Sequence, residues 1–221
     1  MILDIESVDP SSVLDGVVSP NRRLPERIRQ AGYIPHLPDF QVGDLILYWP
    51  RQPKWRHRLI RNTQLKAYNE ADARYVHAAV YLDDFLVCEA VGGGVRTDTL
   101  LDALTDYRLL VRRPKYEDGE DEFKVAMRSL MRLSQSYNYA YLWAIFRHAL
   151  SGLHKGRFPG INDRFGAGLA TICSMLYADS FAEATERTVV SMSTGIILPA
   201  DLAASSNFES ISVRWRRLPG V

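Results

Sequence analysis

Cysteine is scarce in this sequence: only Cys88 and Cys173 occur among 221 residues. Two are too few for a disulfide framework, which excludes a small stapled secreted domain. No apolar run approaches the roughly 20 residues that a membrane-crossing helix needs. The opening residues, MILDIESVDPSSVLDG, lack a basic start, a long apolar stretch and a small-residue cleavage pattern, so no secretory signal is expected. An excess of one charge is missing too. There are 27 basic and 26 acidic side chains, so no partnership with nucleic acid is expected. These absences lead us to expect a soluble protein of a reducing compartment, cytoplasmic or exported without an N-terminal signal. Cys-x-x-Cys, His-Glu-x-x-His and Gly-x-Ser-x-Gly patterns are absent as well, which argues against zinc and a serine elbow. Gly92-Gly93-Gly94 is not followed by the Lys-Ser/Thr of a phosphate-binding loop, so it reads as a bend after a strand.

The length suits one core and a single domain spanning 1–221. Residues 1–40, with Pro10, Pro20, Pro25, Pro35 and Pro38, read as an extended arm with one short helix near Glu26 to Gln30. Val42 to Trp49 reads as a turn and a buried strand. Residues 50–75 read as a basic insertion. Val76–Leu82 and Phe85–Val91 flank Asp83-Asp84 as a β-hairpin, and residues 107–112 form another strand. The period then lengthens. Phe123, Met127, Leu130, Ser134 and Tyr137 fall on one helical face, and further helices are expected over 141–151 and 171–185. Pro199 opens a short helical turn, and Ile211 to Arg216 closes as a strand. Strands first and helices later imply α+β, with a largely antiparallel sheet or small barrel packed against helices.

A cysteine nucleophile needs a lowered thiol pKa, a nearby base and a group that orients the base. Cys173 falls in the first turn of the 171–185 helix, where unpaired N–H groups favour a thiolate, and Thr171 is a candidate cap. His77 opens the strand HAAVYL, and Glu89 lies twelve positions later on LVCEA. The loop decides whether they share a face. A two-residue Asp83-Asp84 turn separates them, whereas a three-residue Leu82–Asp84 loop or a bulge pairs them. Cys88 alternates with Glu89 and is expected in the core. His36, His57, His148 and His154 lack a comparable setting, which favours surface or structural roles.

The ordered set GDLILYW, HAAVYL-DD-FLVCEA-VGGGV, TICSMLYADSF and LPADLAASSNFE resembles the circularly permuted NlpC-like thiol hydrolases. That group includes the lecithin retinol acyltransferase-like proteins within the papain-like superfamily. The resemblance covers roughly residues 42–112 and 169–210. It implies Cys173 as nucleophile, His77 as base and Glu89 as orienting residue, with N–H groups near Cys173 binding the oxyanion. It also implies Asp44 as structural and Tyr137, Tyr139 and Ser174 near the substrate. The implied reaction passes through a thioester, giving a hydrolase or acyltransferase on a peptide, peptidoglycan-fragment or lipid acyl substrate. It needs neither metal nor organic cofactor. An inactive binding protein of the same fold and a toxin-like effector are the rival readings. The cysteine here follows the histidine, unlike the better-known wall hydrolases. The segment containing Arg51, Lys54, Trp55, Arg56 and Arg58 has two readings: a phosphate or lipid-headgroup contact, or a solvated insertion loop, which is favoured.

Overall fold

The computed structural model describes residues 2–116, 119–137, 170–190 and 196–220. The architecture is α+β. Its centre is an antiparallel sheet of β1 (Ile2–Leu3), β8 (Tyr107–Pro114), β4 (Leu45–Pro50), β5 (His77–Asp83), β6 (Leu86–Val91) and β7 (Gly94–Thr99), in that order, with β11 (Phe208–Ser210) also pairing β8. The near-continuous apolar run of β4 is explained by burial on both faces. Ile46 and Tyr48 join Ala79, Tyr81, Val87, Leu109 and Val111 in one core. Leu45 and Leu47 join Ala78, Val80, Cys88 and Ala90 in the other. Side chains alternate across a strand, so one sheet serves two layers. The first core is closed by Ile28 of α1 (Glu26–Ala31) and by Leu100, Leu101 and Leu104 of α4 (Leu100–Asp106). The second is closed by α5 (Asp121–Leu130), α6 (Cys173–Thr185) and α7 (Pro199–Ala204). Among the described residues no helix is long and apolar enough to cross a membrane.

Four expectations are corrected. Residues 1–40 are not an extended arm. β1 adds to the main sheet, while β2 (Val13–Val17) and β3 (Tyr33–Pro35) flank the C-terminal β12 (Trp215–Arg217) in a second sheet. Short strands escape periodicity because their partners are distant in sequence. The 50–75 segment is not a loop but α2 (Trp55–Gln64) and α3 (Glu70–Ala73). The helical face drawn through Phe123 and Met127 is exposed, and α5 buries Val125, Ala126 and Ser129 instead. That helix ends at Leu130, four residues short of Ser134, whose φ of 68° lies outside any right-handed helix, and Tyr137 lies in β9 (Ser136–Tyr137), beside β10 (Ala170–Thr171). Finally, the β5–β6 turn is Asp84-Phe85, both with positive φ, as in a type I′ hairpin. The expected helix at 141–151 and Tyr139 lie outside the described residues.

The glycine-aspartate element before β4 is structural. Gly43 has φ +83°, and a Cβ there would meet the Tyr116 hydroxyl at 2.5 Å and the Glu122 carbonyl at 2.6 Å. Its own carbonyl accepts hydrogen bonds from Tyr116 (3.1 Å) and Tyr177 (2.9 Å). Asp44, fully buried, is clasped by Arg113 through Nε and Nη2, both at 2.8 Å, and accepts the Gln41 N–H.

Candidate active site

The site forms where the start of β5 meets the start of α6. Cys173 is the first residue of a thirteen-residue helix whose cap, Ile172, is extended and offers no side-chain bond. Thr171 is therefore not the cap. Leaving the first-turn N–H groups free is what a thiolate requires. The Cys173 sulfur and the His77 ring face the same cleft, and each shifts the other's ionisation, with the Ala78 and Ser174 backbones also favouring the thiolate. His77 Nε2 lies 2.8 Å from Glu89 Oε2, which leaves Nδ1 for the sulfur.

The hairpin places Glu89 by an irregularity. Asp83 pairs Leu86, but beyond the turn the register slips and Tyr81 pairs Val87, with Leu82 as the extra residue. Parity is thereby restored. Glu89 sits opposite Ala79 rather than opposite His77, so the carboxylate reaches the imidazole diagonally along one face. Cys88 turns into the core, where burial pushes its thiol up to about 11.

Arg96 is a residue the sequence reading missed. On β7 it stands directly opposite Glu89 and donates from Nε (3.1 Å) and Nη2 (2.9 Å) to Glu89 Oε1. Asp98 Oδ2 holds the same guanidinium at 2.6 Å. One carboxylate oxygen is spent on Arg96 and the other is reserved for His77. The signal was present: a two-residue Gly92-Gly93 turn pairs Val91 with Gly94 and so Glu89 with Arg96.

The electrostatics follow from these contacts. Burial would raise the Glu89 pKa, but His77 and Arg96 hold it down at about 2. Burial alone would favour neutral sulfur and neutral imidazole. Mutual attraction overrides it, lowering the Cys173 pKa and raising that of His77, with Glu89 adding to the rise. The arrangement favours a thiolate–imidazolium pair that titrates as a unit.

A cleft of about 560 Å³ opens beside the pair. Tyr137 and Ser174 line it as expected, although the Ser174 hydroxyl is committed to the Ile197 carbonyl at 2.6 Å. Tyr48 also lines it. Tyr48 pairs His77 in the sheet, their rings 4.9 Å apart, and its buried hydroxyl has no partner among the described residues. Arg56 and His57 of α2 reach the cleft, whereas Arg51, Lys54, Trp55 and Arg58 do not line it. Arg51 instead pairs with Asp4 at 2.6 Å, and Trp55 is solvent-exposed.

Neither protein-family models nor curated proteins match this chain. Among solved structures it is similar to the metalloprotein yiiX of Escherichia coli O157:H7, a DUF1105 protein. The identity is 14%, over 81% of this chain and 98% of that one, with a TM-score of 0.53. That likeness concerns the fold alone.

Proposed function

We propose that this chain is a cysteine-dependent acyl hydrolase or acyltransferase of the permuted NlpC-like, papain-like type. The observation that carries the reading is Cys173 at a helix start, facing one cleft with His77, whose Nε2 lies 2.8 Å from the Glu89 carboxylate. The order of the elements supports it: a Gly-Asp strand, the histidine hairpin, then the cysteine helix.

In this mechanism the Cys173 thiolate attacks the carbonyl carbon of an amide or ester. A C–S bond forms, and the carbonyl electron pair moves onto oxygen. The Cys173 N–H and the unpartnered Tyr48 hydroxyl are donors available to that oxyanion. On collapse, the C–N or C–O bond to the leaving group breaks, and His77 gives that group its proton. Water, or another alcohol or amine, then attacks the thioester and passes its proton to His77; the C–S bond breaks, its electron pair returns to sulfur, and the thiolate–imidazolium pair is restored. Glu89 holds the ring throughout.

The neighbouring structure is described as a metalloprotein. The described residues do not fit that description. Among the described residues no three His, Cys, Asp or Glu side chains gather as a metal ion needs, and His77 Nε2 is taken by Glu89.

Alkylation with iodoacetamide near neutral pH, mapped by mass spectrometry, tests the proposal. Cys173 is expected to label rapidly and Cys88 not at all. Cys173→Ala should abolish labelling and also the burst of p-nitrophenol from p-nitrophenyl acetate. Labelling at Cys88 alone, or at neither cysteine, would overturn the reading.

A further inference from the structure

The cleft carries a row of hydrogen-bond donors that have no protein acceptor among the described residues. Beyond Tyr48, the ring of Tyr107 packs 5.4 Å away, and His57 lies 6.1 Å beyond that. His57 is only 8% exposed. Its Nδ1 accepts the Lys54 N–H at 3.3 Å, so in the neutral ring the proton resides on Nε2. That nitrogen, the Tyr107 hydroxyl and the Arg56 guanidinium have no hydrogen-bond or ion-pair partner among the described residues, yet all three residues line the cleft. Of the three, His57 is buried, Tyr107 half-buried and Arg56 exposed, so they are donors presented to whatever occupies the cleft, and the wholly buried one beside them is the Tyr48 hydroxyl.

The helix carrying two of these groups points the same way. α2 has no acidic residue in its first turn, but Lys54, Arg56, His57 and Arg58 cluster there. Cations at a helix N-terminus oppose its dipole, so the local sequence is poor for stability alone. An anion bound at this turn would meet the dipole, a guanidinium and an imidazole N–H together.

The other charges in the cleft limit what that anion can be. Glu89 and Asp98 are engaged by Arg96. Asp102 and Asp106, four residues apart on α4, also line the cleft and have no cationic partner among the described residues. Asp106 directly precedes Tyr107. Two free carboxylates so close would repel a dianion more strongly than a monoanion.

We propose that Tyr107, His57 and Arg56 form a subsite for a single carboxylate on the substrate, beside the bond that Cys173 attacks, and that Asp102 and Asp106 exclude phosphate. This rests on the acyl-transfer reading and names the substrate class: carboxylate-bearing amides or esters.

Thiol-directed reagents test it without the natural substrate. N-bromoacetylglycine, N-bromoacetyl-β-alanine, their uncharged amides and N-bromoacetylethanolamine phosphate would be compared on the full chain. The readout is the rate constant for alkylating Cys173. The best carboxylate reagent should outrun its own amide by about tenfold or more, the worth of one charge-assisted contact, and should saturate. The phosphate reagent should show no such advantage. Arg56→Met should collapse the carboxylate-to-amide ratio toward that of a free thiol, with partial recovery in Arg56→Lys. Asp102→Asn with Asp106→Asn should raise the phosphate rate relative to the amides. Because each ratio is internal to one protein, a change in thiol reactivity cancels. Rapid alkylation by the amides, with no carboxylate preference or none lost on Arg56→Met, would overturn the subsite alone. A phosphate preference in the unaltered protein would overturn the carboxylate assignment. Failure of every reagent at Cys173 would overturn the catalytic reading beneath it.

Discussion

At the scale of single residues, three side chains around His77 make separable contributions. Glu89→Gln keeps the shape but removes the charge that stabilises imidazolium. The His77 pKa should fall and that of Cys173 should rise, so the acid limb of the iodoacetamide rate profile should move to higher pH. The rate at pH 6 should drop by about tenfold or more, one order for each 1.4 kcal/mol lost. Arg96 acts through Glu89, so it is a positioning residue. Arg96→Met should slow alkylation less than Glu89→Gln and shift the same limb. Arg96→Lys should recover only part, because an ammonium lacks the fork that meets Oε1 twice. Tyr48 offers a different signature. Its hydroxyl is buried and has no partner among the described residues, so Tyr48→Phe removes a desolvation cost of about 1–3 kcal/mol. If that hydroxyl serves the oxyanion, the variant should melt higher while acylating more slowly in the p-nitrophenyl acetate burst. A variant that is both more stable and equally fast would remove Tyr48 from the chemistry.

At the scale of elements, the hairpin shows how far sequence reasoning reaches and where it stops. The histidine strand, the returning strand and the cysteine helix were legible, because apolar runs and a Gly/Pro-poor stretch fix their type. The face shared by His77 and Glu89 was not. It depends on whether Leu82 is paired or bulged, and a one-residue slip turns every side chain of β6 over. The basic segment misled for another reason. α2 has few apolar residues and leaves Trp55 outside, so its helical nature depends on buried contacts such as Gln64, whose side chain donates to the Ala73 and Tyr75 carbonyls at 2.9 and 2.8 Å. Arg96 was within reach of a simple hairpin argument, had the glycines been taken as a tight turn. The Gly43 element yields a prediction at this scale. Gly43→Ala must adopt a left-handed φ and meet backbone at 2.6 Å. We expect a loss of at least about 1–2 kcal/mol, seen as a melting temperature lower by several degrees. Tyr177→Phe, which deletes only one of two donors to the Gly43 carbonyl, should cost about 1 kcal/mol.

For the whole molecule, the site lies at the end of a sheet that separates two cores, and its charges tie catalysis to acid stability. Glu89 has an ordinary value of 4.5 and a folded value of about 2. A carboxylate depressed on folding contributes stability that is complete above its unfolded pKa and is lost as pH falls through the folded one. Asp4 and Asp39 are also depressed against the pull of burial, by Arg108 and Arg51 and by Arg214 respectively, and act in the same sense. Asp44 runs the other way, since burial outweighs Arg113 and raises it. Asp9 is depressed as well, by Ser11, and Asp179 is raised by burial; among the carboxyl groups, four depressed against two raised predict a urea midpoint that falls between about pH 4.5 and pH 2. The share belonging to Glu89 is on the order of 3 kcal/mol at neutral pH. Glu89→Gln has no carboxylate to protonate, so its midpoint should lie below that of the parent at pH 7, and the gap should close by pH 2. A gap that persists unchanged at pH 2 would mean that Glu89 stabilises the fold by packing rather than by charge. The ion pair through which it orients His77 would then have to be abandoned as the source of the thiolate.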